Sequence, residues 1–460
     1  MTCCKTLTNI PRRPCARHGL AALALCSAAA LATATAAGPG AIDDATAERL
    51  VSDPAFRDAQ VLVDWNELGN AKSLEVVGFQ TLKTNRAMPL MHLAVHDALN
   101  AIAPVYETYG EARAAAGSEA EAHPVAAVSQ AAHDVLAEEY HDHAEAFAAL
   151  HAEWLDKVPE GSAKERGREL GAATAADILA ARANDRHDSE GSFTARDAPG
   201  AYRVTSPHEA PVGTGWADTE PLGMETPDQF RPGPPPELTS ARYAEDFEEV
   251  KRLGAKDSTA RSDEQTHVAY WWAEYTTVGY PDFVRARVTE EDIHLWPAAR
   301  LFALLAIDNF DALVSGWDAK YAFEYWRPVT AIRNADADGN DRTTADPDWQ
   351  PEMTTPPHPD YPAALSLLCA GGAEILKDFF GNDVAFTRES GSVPEGMDTT
   401  RSYDSIDAAV ESCGMSRIFN GFHFRTGVEV GTEMGRNRAQ HILDTQLVRH
   451  PETAGIDLAD

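Results

Sequence analysis

Apolar residues return at three- and four-residue spacing along most of this chain, the period of an amphipathic helix rather than of a strand. The pattern runs from Ala71 to Ala103, clearest at Leu90, Leu93, Ala94, Ala98, Leu99 and Ile102, and Pro104 stops it. It resumes over Val125–Leu155 and Ala163–Ala181, both rich in the good helix formers Ala, Glu and Leu. Ser262-Asp263-Glu264-Gln265 reads as a capping box that opens a helix through Trp271 and Trp272. Further helices are expected at about Trp296–Tyr325, Ala363–Phe380, Ile406–Phe419 and His423–Leu447. Alternating strand patterns between turn residues are nearly absent. The expected fold is all-α, packed as helical bundles.

Two stretches break this pattern. Residues 1–37 read as an export signal: Lys5, Arg12, Arg13 and Arg17 with no acid among them, an apolar run Gly19–Ala32, then Ala34-Thr35-Ala36 before a cut near Ala36 or Ala37. The run is too short to span a membrane, and no later stretch approaches the ~18 apolar residues that a span needs. A soluble, periplasmic or secreted protein is therefore expected. The second stretch, residues 199–236, holds nine prolines and no periodicity. Its interleaved Tyr202, Trp216, Met224 and Phe230 suggest a segment packed over the body. It separates an N-terminal helical half, residues 38–198, from a C-terminal half, residues 237–460.

Charge narrows the partners. With 39 Lys and Arg against 72 Asp and Glu, the 460-residue chain carries a formal charge of −33, which repels nucleic acid and anionic membrane alike. A small anion is acceptable only where basic side chains concentrate locally. Loss of the signal removes four of the six cysteines and leaves Cys369 and Cys413, either one disulfide or two buried thiols.

The candidate chemistry lies in the C-terminal half. Lys320 and Arg327, in KYAFEYWRP, are seven residues apart; on one helix they turn ~700° and point the same way. Two cations on an apolar, aromatic helix call either for pairing with Asp308, Asp311 or Asp318, or for an anion to hold. Arg417 and His423 flank Asn420-Gly421 in SRIFNGFHF, which can end one helix and begin another, leaving His423 near a fresh helix N-terminus. The run TTPPHPDYPAALS, Thr354 to Ser366, turns into a helix with Pro362 suited to its first position and the amides of Ala363 and Ala364 pointing outward. Convergence of these parts would make a tetrahedral oxyanion site.

These residues resemble the vanadium-dependent haloperoxidases, which share an all-helical double-bundle fold with the type-2 phosphatidic acid phosphatase superfamily. The resemblance covers most of the chain after the signal. It is carried by RAMPLMHLAVHDALNAIAPVY, PPPELTSARYAEDFEEVKRLG, DEQTHVAYWW, WDAKYAFEYWRPVTAIR, PDWQPEMTTPPHPDYPAAL and CGMSRIFNGFHFR. It implies that Lys320, Arg327 and Arg417 neutralise vanadate or phosphate, with the Ala364 amide contributing. His423 would ligate vanadium or, in a phosphatase, attack phosphorus. The implied substrates are hydrogen peroxide and halide, or a phosphate ester. Two departures stand out. The family's Pro-Ser-Gly-His quartet reads Pro362-Ala363-Ala364-Leu365, so its acid/base His is replaced by Leu365, and His358 is the nearest imidazole able to stand in. The acid four positions after the axial His is Gly427 here, with Glu429 the candidate substitute. Three functions follow: a haloperoxidase, a phosphatase using His423 as nucleophile, or a catalytically impaired oxyanion-binding protein.

The remaining clusters weigh towards structure. His92 and His96 have zinc-ligand spacing but no evident third ligand, and a core role is expected. His133, His141, His143 and His151 sit among acids, as a solvated face would. Asp336-Ala337-Asp338-Gly339-Asn340 lacks the final Glu of a calcium loop, so a polar turn is expected in place of calcium.

Overall fold

The structure is a computed structural model that describes residues 42–76, 82–110, 119–273 and 276–458. The expected export signal lies outside the described residues. The described residues, from 42 to 458, fall in one compact unit.

Fifteen α-helices are described: α1 Asp44–Ser52, α2 Pro54–Arg57, α3 Gln60–Val76, α4 Leu82–Ile102, α5 Pro124–Glu139, α6 Ala144–Lys157, α7 Ser162–Ala181, α8 Ala241–Leu253, α9 Asp263–Trp271, α10 Thr276–Glu290, α11 Leu295–Phe323, α12 Pro328–Arg333, α13 Ala364–Phe380, α14 Ile406–Phe419 and α15 Arg425–Thr445. One antiparallel hairpin, β1 Phe386–Glu389 with β2 Thr400–Tyr403, is the only sheet among the described residues. The fold is all-α. The Ser262 capping box forms as read, with Gln265 closing it. The continuous pattern over 125–155 divides instead into α5 and α6, joined by a single 3-10 turn at His141–His143. The pattern over 71–103 likewise falls on two helices, α3 and α4.

Helices α4, α5 and α7 pack together, and α13 lies against α14 and α15. The 29-residue α11, about 43 Å long at helical rise, touches both groups through α4 and α13. All its apolar residues from Leu295 to Ala319 except Ala306 are buried, which holds its three acids inside the protein, where each needs a partner. Asp308 pairs with Arg438 of α15 at 2.8 Å. Asp311 accepts the amides of Leu222 and Gly223, both at 2.7 Å. Asp318 takes Arg231 in a two-pronged pair. All three acids of α11 are thus spent away from Lys320 and Arg327.

The proline-rich stretch packs over the body, as its aromatic residues suggest. Tyr202, Trp216 and Met224 are buried, and the Val212 carbonyl accepts from both Trp317 and Tyr321 of α11.

Cys369 of α13 and Cys413 of α14 form a disulfide across a sequence separation of 44. Closing a loop of that length removes chain entropy equivalent to about 4 kcal/mol. Reduction under native conditions, or Cys369→Ser with Cys413→Ser, is expected to lower stability by about 3–4 kcal/mol in urea unfolding. A loss below about 1 kcal/mol would show that helix packing alone sets this spacing.

Asp185 marks a second structural anchor. It lies 2.8 Å from Arg86, whose guanidinium also reaches Glu139 and the Arg182 carbonyl. Burial pushes the Asp185 carboxyl up, but the His187 ring and Arg86 outweigh it and hold it well below the usual 3.8. A carboxyl with a depressed native pKa contributes stability that is complete above its unfolded value and is lost as pH falls below it. The unfolding free energy should therefore drop on acidification from about pH 4 downward, and Asp185→Asn should flatten that limb. An unchanged acid limb in that variant would assign the pH dependence to other groups.

Candidate functional site

The sequence places Lys320 and Arg327 on one helix face; the backbone does not. Helix α11 ends at Phe323, where Glu324 turns left-handed at φ 46°, and Arg327 caps α12. The break is held from outside: the Glu324 carbonyl accepts the Tyr202 amide at 2.7 Å, and Trp326 donates to Gly200. The two cations converge nonetheless, because both reach the loop that precedes α13. Lys320 Nζ donates to the carbonyls of Pro359, Asp360 and Pro362 at 2.7, 3.1 and 2.5 Å. Arg327 donates through Nε to the His358 carbonyl at 2.7 Å, and through its terminal nitrogens to the Phe422 carbonyl at 2.9 Å and to the His358 ring.

His423 arrives from the other side. Helix α14 stops at Phe419, Gly421 takes a φ of 75°, and His423 lies two residues before α15. The Arg417 carbonyl accepts the amides of Phe422 and His423, which folds this connection tightly. His423 Nε2 sits 3.1 Å from Arg327, and Nδ1 sits 3.0 Å from Asp360 Oδ1. Lys320, Arg327, Asp360 and His423 are all at least 97% shielded from solvent.

Helix α13 begins later than the proline position suggests. Its first residue is Ala364 and Ala363 is the cap, so Pro362 stands outside, where its carbonyl serves Lys320. The Ala363 amide is not outward and free; it donates to the Gly427 carbonyl at 2.9 Å. Ala364 retains the first-turn position, where a helix amide has no partner within its own helix. Leu365 is partly exposed one residue further on.

Arg417 is the member whose side chain departs most from expectation. Its guanidinium donates to Ser416 Oγ at 2.9 Å and to the Trp272 carbonyl at 2.8 Å, beside the Phe422 ring. It remains close enough to disfavour protonation of His423.

Two groups join the cluster that spacing alone did not place there. His358, considered only as a nearby imidazole, lies with Nδ1 3.1 Å from Arg327 and its ring 4.9 Å from that of Trp317, and it keeps some exposure to solvent. Asp360 was missed. The available signal was an acid inside an otherwise uncharged proline-rich run, three residues from the start of the Ala363-Ala364 step. Glu429, the expected substitute acid, instead pairs with Arg242 at 2.6 Å on the surface.

The electrostatics are those of a buried basic cluster whose donors rest on neutral groups. Burial, then repulsion from Arg327, pulls the Lys320 ammonium well below its ordinary pKa, with Asp360 opposing. Burial and the same cations lower both His423 and His358, so the imidazoles are neutral at pH 7. Burial pushes the Asp360 carboxyl up to about 7 against Arg327 and Lys320. One such acid cannot offset three cationic side chains. Lysine and arginine N–H groups beside a neutral imidazole are the donor types that a tetrahedral oxyanion takes, and an anion would have to displace the protein groups they now contact. The Lys320 and Arg327 protons now rest on neutral carbonyls, and a charged oxygen forms hydrogen bonds about twice as strong.

The other clusters behave as structure. His92 and His96 are core residues, one 2.9 Å from Asn66 and the other between Asp97 and Asn100. Asp338 accepts Asn340 N–H and Thr343 O–H, a polar turn. His133 bonds Asp134 and stacks on His151. Among the described residues, no group of three His, Cys, Asp or Glu is arranged for a metal cation.

The site is a buried cluster of basic side chains joined by a histidine within an all-α body. Residues 300–449 match the family model for the VCPO second helical-bundle domain. Over 190 residues the chain is 27% identical to the vanadium chloroperoxidase of Curvularia inaequalis, a match over 34% of this chain and 30% of that protein's length. Among solved structures, a bacterial vanadium-dependent iodoperoxidase superposes with a TM-score of 0.71 at 21% identity, covering 85% of this chain and 98% of the other. An apo-type bacterial vanadium-dependent chloroperoxidase superposes at 0.64 and 16% identity, covering 78% and 93%. The chain has the fold of the bacterial vanadium-dependent haloperoxidases, and its residues 300–449 resemble the second helical-bundle domain of that family.

Proposed function

We propose that this protein is an exported, haloperoxidase-like oxyanion protein that holds vanadate, or phosphate in its place, among Lys320, Arg327, Arg417 and His423. The observation that carries the reading is the meeting of Lys320, Arg327 and His423 in one buried cluster while Asp308, Asp311 and Asp318 are engaged elsewhere. When bound, vanadate supplies a Lewis acid that activates hydrogen peroxide towards halide. The protein supplies the rest. Lys320 and Arg327 neutralise the oxyanion, the Ala364 amide offers a further donor, and Arg417 completes the set by exchanging its Trp272 carbonyl partner for the anion. Neutral His423 presents its Nε2 lone pair to the central atom. His358, with access to solvent and a contact to Arg327, carries protons in and out. The proline-rich segment packs beside the cluster, with the Val212 carbonyl accepting from Trp317 and the Gly233 carbonyl accepting from Tyr361. The disulfide suits an oxidising compartment and supports the export reading.

The lost quartet His favours a second reading on the same scaffold, a protein that binds the anion with little turnover. Orthovanadate titration, bromide-dependent halogenation with added vanadate and peroxide, and p-nitrophenyl phosphate turnover separate the cases. Binding with halogenation supports the first reading, and binding alone supports the second. Phosphate-ester turnover through His423 would make the protein a phosphatase. No binding of either anion would reject all three.

A further inference from the structure

We infer that Asp360 is the positioning residue of His423, and that Gly427 stays without a side chain because the Asp360 carboxylate fills the space beside it. A Cβ built on Gly427 would lie 3.1 Å from Asp360 Oδ2, tighter than ordinary contact, while Oδ1 of the same carboxylate lies 3.0 Å from His423 Nδ1. The space beside Nδ1 is therefore reachable from two places, the loop before α13 and the first turn of α15, and a carboxylate from one excludes a side chain from the other. The loop position is rigid: the Asp360 amide donates to the Tyr325 carbonyl at 3.0 Å and its carbonyl accepts from Lys320 at 3.1 Å.

The tautomer follows from hydrogen-bond chemistry. Arg327 has no acceptor, so His423 Nε2, 3.1 Å away, must be the accepting nitrogen. The neutral ring then carries its proton on Nδ1, which lies 3.0 Å from Asp360 Oδ1 in a close charge contact that is not aligned as a hydrogen bond. That leaves the Nε2 lone pair, now held by Arg327, as the ligand an incoming oxyanion would meet. The consequence for ligand binding rests on the oxyanion reading above; the tautomer does not.

Nitrogen NMR of histidine-labelled, ligand-free protein reads the tautomer directly. The wild type should show Nδ1–H at His423, Asp360→Ala should show loss of that single form, and Asp360→Ala with Gly427→Asp should recover it. Gly427→Asp alone, forced against Oδ2, should lower the melting temperature. Orthovanadate affinity should fall about 10- to 100-fold in Asp360→Ala and return in the double variant. An Nε2–H wild type, an unchanged tautomer in Asp360→Ala, or a double variant no better than the single one would overturn the inference. If Asp360→Ala does not fold, Asp360→Asn, which keeps an acceptor, should retain Nδ1–H, and its loss counts against the inference. Absence of orthovanadate binding in the wild type would reject the oxyanion reading while the tautomer result still decides this one.

Discussion

His423→Ala is expected to raise the dissociation constant for orthovanadate by at least about 100-fold, beyond the ten- to hundredfold usual for residues that only support a ligand. His423 is the one imidazole held with Nε2 against Arg327 and Nδ1 against Asp360, so removing it leaves the cations but no nitrogen for the central atom. Phosphate, bound by charge and hydrogen bonds alone, should lose much less. That contrast is the useful part of the measurement. Equal losses for both anions would mean that His423 acts on the fold of the pocket, and no loss for either would place the anion elsewhere.

Leu365→His is expected to raise bromide-dependent halogenation by ~10²–10⁴, the range that a positioned acid/base group contributes. Leu365 sits in the first turn of α13, next to Ala364 and two residues after Ala363, whose amide is tied to Gly427. The backbone around it is therefore fixed, and the change adds an imidazole to a framework already in place. The assay needs vanadate binding measured alongside. Unchanged turnover with binding retained would show that His358 already supplies the proton transfer, in which case His358→Ala should remove the activity of the parent protein.

The helices were legible because local apolar periodicity and caps decide them. Ile406–Phe419 and the Ser262 capping box appear as read. The end of α11 was not. Nothing in KYAFEYWRP marks Glu324 for a left-handed turn, and its stability comes from pairing with Gly200 and Tyr202, more than a hundred residues earlier. The same holds for the site. Lys320, Arg327 and His423 were found by residue type and spacing, yet the geometry that unites them comes from loop carbonyls at Pro359, Asp360 and Pro362. The pairing of Lys320 or Arg327 with an acid of α11 was equally compatible with the sequence. It fails because Arg438, Arg231 and two amides near Leu222 claim those acids first. Asp360 was hidden because a family pattern directs attention to position 427 on α15, whereas the carboxylate comes from another segment.

A crystal structure of the protein soaked with orthovanadate tests the central claim most directly. The account predicts density for one tetrahedral oxyanion bonded to His423 Nε2 and contacted by Lys320 and Arg327, with Arg417 turned from the Trp272 carbonyl towards it. Density at another site, or a cluster that keeps its present hydrogen bonds at saturating vanadate, would contradict it.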